Sequence, residues 1–238
     1  GSHYDNEEAV AEGFARSGVP RGEVMVVTKV WFDDMGPRAT GAIDESLVRL
    51  RTDYVDLLLM HFPGTIDAVQ SPARNRQLRE ETWRAMESAL ASGKARALGV
   101  ANFTRRHLKE LLPVCRTRPA VNQIEVHPFF QQPELIEYCE GEGIQVMAQS
   151  PLAHGELNML ENRVLTRIAE ARGRTPAQVV LRWLLQQGIP PVAFSSDPAR
   201  LRENLGAAGW TLSDAEMGQI SFLEKLNGRV GFNPSNIA

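Results

Sequence analysis

The sequence predicts an α/β protein built on a parallel sheet, wound either open or closed into a barrel. Three observations carry that expectation. Six apolar runs of strand length alternate with segments of helical period. The runs are near-continuously apolar and not alternating, the pattern of strands covered on both faces. The chain has 238 residues, 43% of them hydrophobic, which supplies one sizeable core and so predicts a single domain over residues 1–238.

The elements follow in order. An amphipathic helix at about Glu7–Ser17 leads to the run Val24–Thr28. A second, about Gly41–Arg51, places Ile43, Leu47 and Leu50 at helical spacing ahead of Val55–Met60. A third, about Glu80–Ser92, sets Trp83, Met86 and Leu90 on one face before Ala97–Val100, with Gly64–Arg79 left as a long polar loop. Arg105–Leu112 precedes Ala120–Val126, and Pro133–Glu142 precedes Gln145–Ala148. Two consecutive helices follow, Arg163–Arg172 and one running to about Gln187. The second opens on Thr175-Pro176-Ala177-Gln178, a capping box with proline at the first helical position. A short strand, Pro191–Ser195, a helix, Pro198–Leu205, and a last helix capped by Ser213 and Glu216 complete the chain. A closed barrel of this kind has eight strands, so six imply that two strands and a helix precede Gly1.

Composition removes several function classes. A net charge of −3 argues against a nucleic-acid surface, and no apolar stretch reaches the length of a membrane span. Only two cysteines are present, Cys115 and Cys139, each within a helical pattern, and both are expected to be buried reduced thiols. A soluble cytoplasmic protein is the default.

Chemistry in such folds collects just past the C-terminal ends of the strands. Lys29 ends the first run, His61 the second, and Asn102 follows the third. Gln123 and Glu125 lie in the fourth, Gln149 and Ser150 follow the fifth, and Ser195 and Ser196 the sixth. Taken singly, each has an ordinary reading: a lysine reaching for solvent, a satisfied core histidine, a buried amide. A parallel barrel points all these ends at one mouth, and a lysine, a histidine and several amides converging there make a polar site.

These residues resemble one family, the aldo-keto reductases, in seven segments that run in order along the chain. Tyr4-Asp5-Asn6-Glu7-Glu8 is similar to the family's Tyr-Gly-Asn-Glu, Thr28-Lys29-Val30-Trp31 to Thr-Lys-Leu-Trp, and Met60-His61-Phe62-Pro63 to Ile-His-Trp-Pro. Gly99–Phe103 resembles Gly-Val-Ser-Asn-Phe, and Asn122–Pro128 matches almost letter for letter. Ser150-Pro151-Leu152 and Arg200–Leu205 complete the set. The resemblance implies a (β/α)8 TIM barrel of aldo-keto reductase type, N-terminally incomplete, with about six of its eight strands in this chain. It also implies reduction of an aldehyde, ketone or keto-sugar by hydride from NADPH, with NADH as the second choice, and no metal.

In that mechanism Tyr4 would be the proton donor, its high ordinary pKa lowered by the neighbouring charge of Lys29, and His61 would orient the carbonyl oxygen. Trp31 and Phe62 would line the substrate pocket. Asn102 and Gln123 would hold the nicotinamide carboxamide, Ser150 and Leu152 the pyrophosphate, and Ser195, Arg200 and Asn204 the adenosine end. Glu203 would reach the adenine amino group or stand as a helical surface charge.

Three departures from the family pattern bear on activity. The family's catalytic Asp would lie before Gly1, so Lys29 is expected to be less well held, and open barrel edges are expected to be covered by self-association. Gln149 stands where the family stacks an aromatic ring on the nicotinamide, giving up a contact of about 1 kcal/mol. Phe194-Ser195 stands where NADPH-selective members carry Lys-Ser, which removes a charge-assisted contact of roughly 1.5–3 kcal/mol. These departures support the alternative expectation, a catalytically impaired or silent barrel remnant with a nucleotide-binding or structural role. The C-terminal stretch Asn227–Phe232 is of the kind seen in keto-sugar-acid reductases of the family.

Overall fold

The computed structural model describes residues 2–65, 71–225 and 228–237. They fall into two units, residues 1–122 with 234–238, and residues 123–233.

In the first unit three strands, β1 (Val27–Val30), β2 (Leu57–Met60) and β3 (Leu98–Ala101), pair in parallel in that order. The register sets Lys29 opposite Leu59, and Met60 between Val30 and Val100. All four residues of β2 and of β3 are buried, as their unbroken apolar runs require. Strand β1 alternates between buried and half-buried positions, so the expectation of two covered faces holds for β2 and β3 and not for β1. Gly99 is needed at the centre of β3: a Cβ there would lie 2.6 Å from Leu59 Cδ2 and 2.8 Å from the Val121 carbonyl oxygen. The helices are α1 (Glu7–Ser17), α2 (Ala39–Leu50), α3 (Pro72–Ala91) and α4 (Arg105–Leu111).

Helix α3 corrects the sequence reading. It begins at Pro72, two turns before the expected Glu80, so the second half of the polar loop expected at Gly64–Arg79 is helical; residues 66–70 lie outside the described residues. Its buried face carries Asn75, Arg79 and Thr82 beside Leu78, Trp83 and Met86. A search for apolar periodicity sees only the second half of such a face.

Strand β4 (Val121–Glu125) starts in the first unit and continues into the second, where β4, β5 (Gln145–Gln149) and β6 (Pro191–Val192) follow in order. β5 and β6 pair in parallel through Ala148–Pro191 and Gln149–Val192. β6 has two residues, shorter than the expected Pro191–Ser195. The helices are α5 (Pro133–Gly141), α6 (Arg163–Arg172), α7 (Pro176–Gln186), α8 (Pro198–Leu205) and α9 (Asp214–Ser221). Both expected capping boxes form, Thr175 with Gln178 and Ser213 with Glu216. Cys115 lies beyond the end of α4 and is half-buried, contrary to expectation, whereas Cys139 is buried in α5; both are free thiols. Among the described residues no helix is long and apolar enough to cross a membrane.

Candidate active site

The first unit brings Tyr4, Lys29, His61, Trp31, Phe62 and Asn102 together. Lys29 lies within β1 and not past its end, while His61 directly follows β2 and Asn102 follows β3. Tyr4 closes a short helical turn, Ser2–Tyr4, and its hydroxyl is 3.5 Å from His61 Nε2. That is the outer limit of a hydrogen bond, and a third oxygen can lie within bonding reach of both groups. Lys29 Nζ sits over the Tyr4 ring, 5.2 Å from its centroid.

The electrostatics differ from the sequence expectation at one point. Burial around the hydroxyl raises the Tyr4 pKa above its ordinary value, although the residue as a whole is 52% exposed. Burial is the cause of this shift, and the lowering expected from Lys29 is corrected. Lys29 is itself pulled down to about 8 by burial. Among the described residues it forms no ion pair with a carboxylate. His61, 4% exposed, is pulled down to about 2 by burial first and then by the charges of Lys29 and His3, so its imidazole is neutral at any working pH. Its Nδ1 is buried without a hydrogen-bond partner among the described residues.

Asn102 takes a left-handed backbone conformation, φ 62°, which asparagine tolerates better than most residues. That turns its side chain back to donate from Nδ2 to the His61 carbonyl oxygen at 2.9 Å. One of its amide hydrogens therefore holds the loop that carries His61. The aromatic wall is continuous: Trp31 meets His61 edge to face at 4.8 Å and Phe62 at 5.7 Å, and Phe62 stacks on His61 at 5.1 Å. Sequence reasoning missed His3, which stacks flat on Trp31 with centroids 3.7 Å apart and 9° between planes. No local signal marks it, since the contact is made only once the turn folds over β1.

In the second unit the expected cofactor residues lie within β4, at and after the end of β5, after β6 and on α8. Gln123 is buried and donates from Nε2 to Met147 Sδ at 3.3 Å. Gln149 ends β5. Ser150 is left-handed, φ 48°, and its hydroxyl is bonded to His154 Nε2 at 2.7 Å, with Leu152 half-buried between them in sequence. After β6, Phe194 is 88% exposed. Ser195 Oγ accepts the Asp197 N–H at 3.1 Å, and Asp197 caps α8 by accepting from Ala199 N–H at 2.8 Å. Arg200 Nε lies 3.8 Å from Asp197 Oδ2, and Asn204 is half-buried on the same helix. Glu203 is more than a surface charge: it accepts the Thr175 hydroxyl at 2.5 Å and so joins α8 to the cap of α7.

Glu125, noted at the strand end without a role, anchors a network. Its buried carboxylate accepts the backbone N–H of Val230 at 2.7 Å and of Gly231 at 2.9 Å, with His127 Nε2 at 3.1 Å. Burial pushes this carboxyl up, but the bonds from His127, Val230 and Gly231 outweigh it and hold the pKa below the usual value. A Cβ on Gly231 would lie 2.7 Å from Glu125 Oε2, so a larger residue there would displace the carboxylate.

Comparison with known proteins places this arrangement. Residues 1–225 match the Aldo/keto reductase family. Glyoxal reductase of Bacillus subtilis (strain 168) is 43% identical over 235 residues, covering 98% of this chain and 80% of the relative. The 9,11-endoperoxide prostaglandin H2 reductase of Trypanosoma cruzi is 42% identical, covering 98% and 79%. Among solved structures, a variant of Gox0644 in complex with NADPH superposes with a TM-score of 0.88 at 36% identity, covering 98% of this chain and 81% of that one. A putative 2,5-diketo-D-gluconic acid reductase B gives 0.88 at 33% identity, covering 99% and 80%. The chain belongs to the aldo/keto reductase family.

Proposed function

We propose that this protein is an NADPH-dependent carbonyl reductase that converts an aldehyde, ketone or keto-sugar to its alcohol, with Tyr4 as the proton donor. The observation that carries this reading is the Tyr4 hydroxyl 3.5 Å from His61 Nε2 with Lys29 over the tyrosine ring. NADPH, when bound, supplies the hydride that reaches the carbonyl carbon. The Tyr4 phenol is protonated at neutral pH, the form a donor needs. Tyr4 gives that proton to the carbonyl oxygen, and the Lys29 cation stabilises the phenolate left behind. The neutral imidazole of His61 hydrogen-bonds the same oxygen and orients it. Trp31 and Phe62 form an apolar wall suited to flat or aromatic carbonyl compounds.

The residues of the second unit fit a dinucleotide by their donor chemistry. Gln123 offers a buried amide for a carboxamide, and Gln149 covers a ring without stacking on it. Ser150 would offer its hydroxyl from a left-handed turn to phosphate oxygens, with Leu152 beside it. Ser195, Arg200, Asn204 and Glu203 supply a hydroxyl, a guanidinium, an amide and a carboxylate for the adenosine end. Phe194 brings no charge to a 2′-phosphate and leaves Arg200 as the cation for it, so NADPH is preferred by a narrow margin and NADH is accepted.

The raised Tyr4 pKa makes the phenol a weaker acid and so favours a second reading, a nucleotide-binding protein with little turnover. Titration with NADPH and NADH by tryptophan fluorescence, followed by an aromatic aldehyde in the same cuvette, separates the two. Binding with cofactor oxidation supports the reductase, binding alone supports the second reading, and no binding overturns both.

A further inference from the structure

Helix α3 carries a stripe of buried polar side chains that packing alone does not call for. Asn75, Arg79 and Thr82 are spaced four and then three residues apart, on one helical face, and are 0%, 2% and 0% exposed. Each grips the backbone of a turn that follows a strand. Asn75 Oδ1 accepts the Thr65 N–H at 3.0 Å, and Arg79 Nη1 donates to the Pro63 carbonyl oxygen at 2.7 Å. Thr82 Oγ1 accepts the Gly36 N–H at 2.8 Å and donates to the Leu78 carbonyl oxygen at 2.7 Å. The first two bonds fix the turn after β2, directly behind His61 and Phe62. The third fixes the turn after β1, behind Trp31 and Phe32.

The fit leaves no slack on either side. A Cβ on Gly64 would lie 2.4 Å from Asn75 Oδ1, and one on Gly36 would lie 2.7 Å from Leu78 Cδ2. Arg79 is also ion-paired with Glu110 of α4, so its guanidinium is held from both sides. A helix that needed only stability would fill such a face with apolar residues, since a buried ion pair adds little net stability over a well-packed apolar group. Directional bonds to backbone atoms instead fix geometry, because each bond tolerates only a narrow range of distance and angle.

We propose that Asn75, Arg79 and Thr82 are positioning residues for the substrate wall: together they set the separation of Trp31 and Phe62, and through it which carbonyl compounds fit beside His61. The rings of Trp31 and Phe62 now stand edge to face with centroids 5.7 Å apart. Each of the two turns that carry them is tied to α3, so loosening one tie changes the gap without removing a group that touches the substrate. This assignment rests on the reductase reading for its kinetic consequence and not for its structural one.

The test uses Arg79→Met, Arg79→Lys and Thr82→Val in the full chain. The Met variant removes the donor to Pro63, the Lys variant restores a cation and one donor, and the Val variant removes the Gly36 tie at constant shape. Proton NMR of the Trp31 indole, assigned by Trp31→Phe, reports the gap through the ring current of Phe62 and needs no turnover. Arg79→Met and Thr82→Val should each shift that signal, and Arg79→Lys should return it toward the wild-type position. In the kinetic assay KM for an aromatic aldehyde should rise about tenfold with kcat changed less than about threefold, and the dissociation constant for NADPH should stay put. An unmoved Trp31 signal in both variants, or a fall in melting temperature with KM unchanged, overturns the assignment and leaves the stripe a structural brace. Should Arg79→Met fail to fold, Thr82→Val decides by the same two readings. If the wild-type protein consumes no cofactor, the reductase reading fails and the NMR signal alone judges the positioning role.

Discussion

Replacing Glu125 by glutamine should unlatch the segment that crosses it. The two carboxylate oxygens of Glu125 accept one N–H each from Val230 and Gly231, at 2.7 and 2.9 Å. Glutamine keeps one oxygen and turns an NH2 group toward the other N–H, donor against donor. The loss is a hydrogen bond to a charged group, about 1.5–3 kcal/mol, together with a half-buried N–H left unpaired, about 1 kcal/mol. Taking about 3 kcal/mol in total, and roughly 2–4 °C per kcal/mol for a chain of this size, the melting temperature should fall by roughly 6–12 °C. The same 3 kcal/mol, if spent on local opening, speeds exchange of the Val230 and Gly231 amides about a hundredfold. Thermal melting by circular dichroism and amide hydrogen exchange read the two outcomes. A melting temperature within about 2 °C of wild type together with unchanged exchange at both amides would refute the claim that this carboxylate holds the segment. The pH dependence has a defined sign. The folded pKa of Glu125 is depressed, so its contribution is complete above the ordinary carboxylate value and is lost as pH falls through the folded value. The glutamine variant should therefore lack part of the acid sensitivity of the wild type.

Three further outcomes are expected. Lys29 has a folded pKa of about 8 against an ordinary 10.5, so the unfolded chain binds more protons between those values. Stability should rise with pH in that window, Lys29→Met should remove the rise in melts taken from pH 7 to 10, and catalysis that relies on the cation should fall above about pH 8. Gly99→Ala forces a methyl within 2.6 Å of Leu59 and 2.8 Å of the Val121 carbonyl oxygen, and should destabilise by about 1–3 kcal/mol in urea titration. Phe194→Lys should tighten NADPH by roughly 1.5–3 kcal/mol, about ten- to a hundredfold, and leave NADH nearly unchanged; equal effects on both cofactors would remove the 2′-phosphate from the account.

Much of the fold was legible because its signals are local. Helices α6 and α8 have the bounds read from the sequence, and the caps at Thr175 and Ser213 depend only on side chains three residues apart. The family motifs also placed Tyr4, Lys29 and His61 in one cluster, as found. What escaped was set by tertiary contacts. The first turns of α3 bury Asn75 and Arg79 against backbone atoms, and polar residues on a buried face leave no apolar period to read. The direction of the Tyr4 shift is hidden from the sequence because it depends on burial: Lys29 lies 5.2 Å from the ring centroid as the motifs imply, yet desolvation of the phenol raises its pKa. The grip of Glu125 on Val230 and Gly231 spans more than a hundred residues of chain, and nothing local to either end announces it.

Turnover by Tyr4→Phe under a saturating aromatic aldehyde tests the central claim most directly, with NADPH affinity measured on the same sample. The phenylalanine ring keeps the packing against His61, whose ring centroid lies 5.8 Å from that of Tyr4, and removes only the hydroxyl. The account predicts that NADPH oxidation falls by at least a hundredfold while the dissociation constant for NADPH is unchanged, a loss within the usual range for a general acid. Turnover at the wild-type rate would contradict it, and the proton would have to come from a group other than Tyr4.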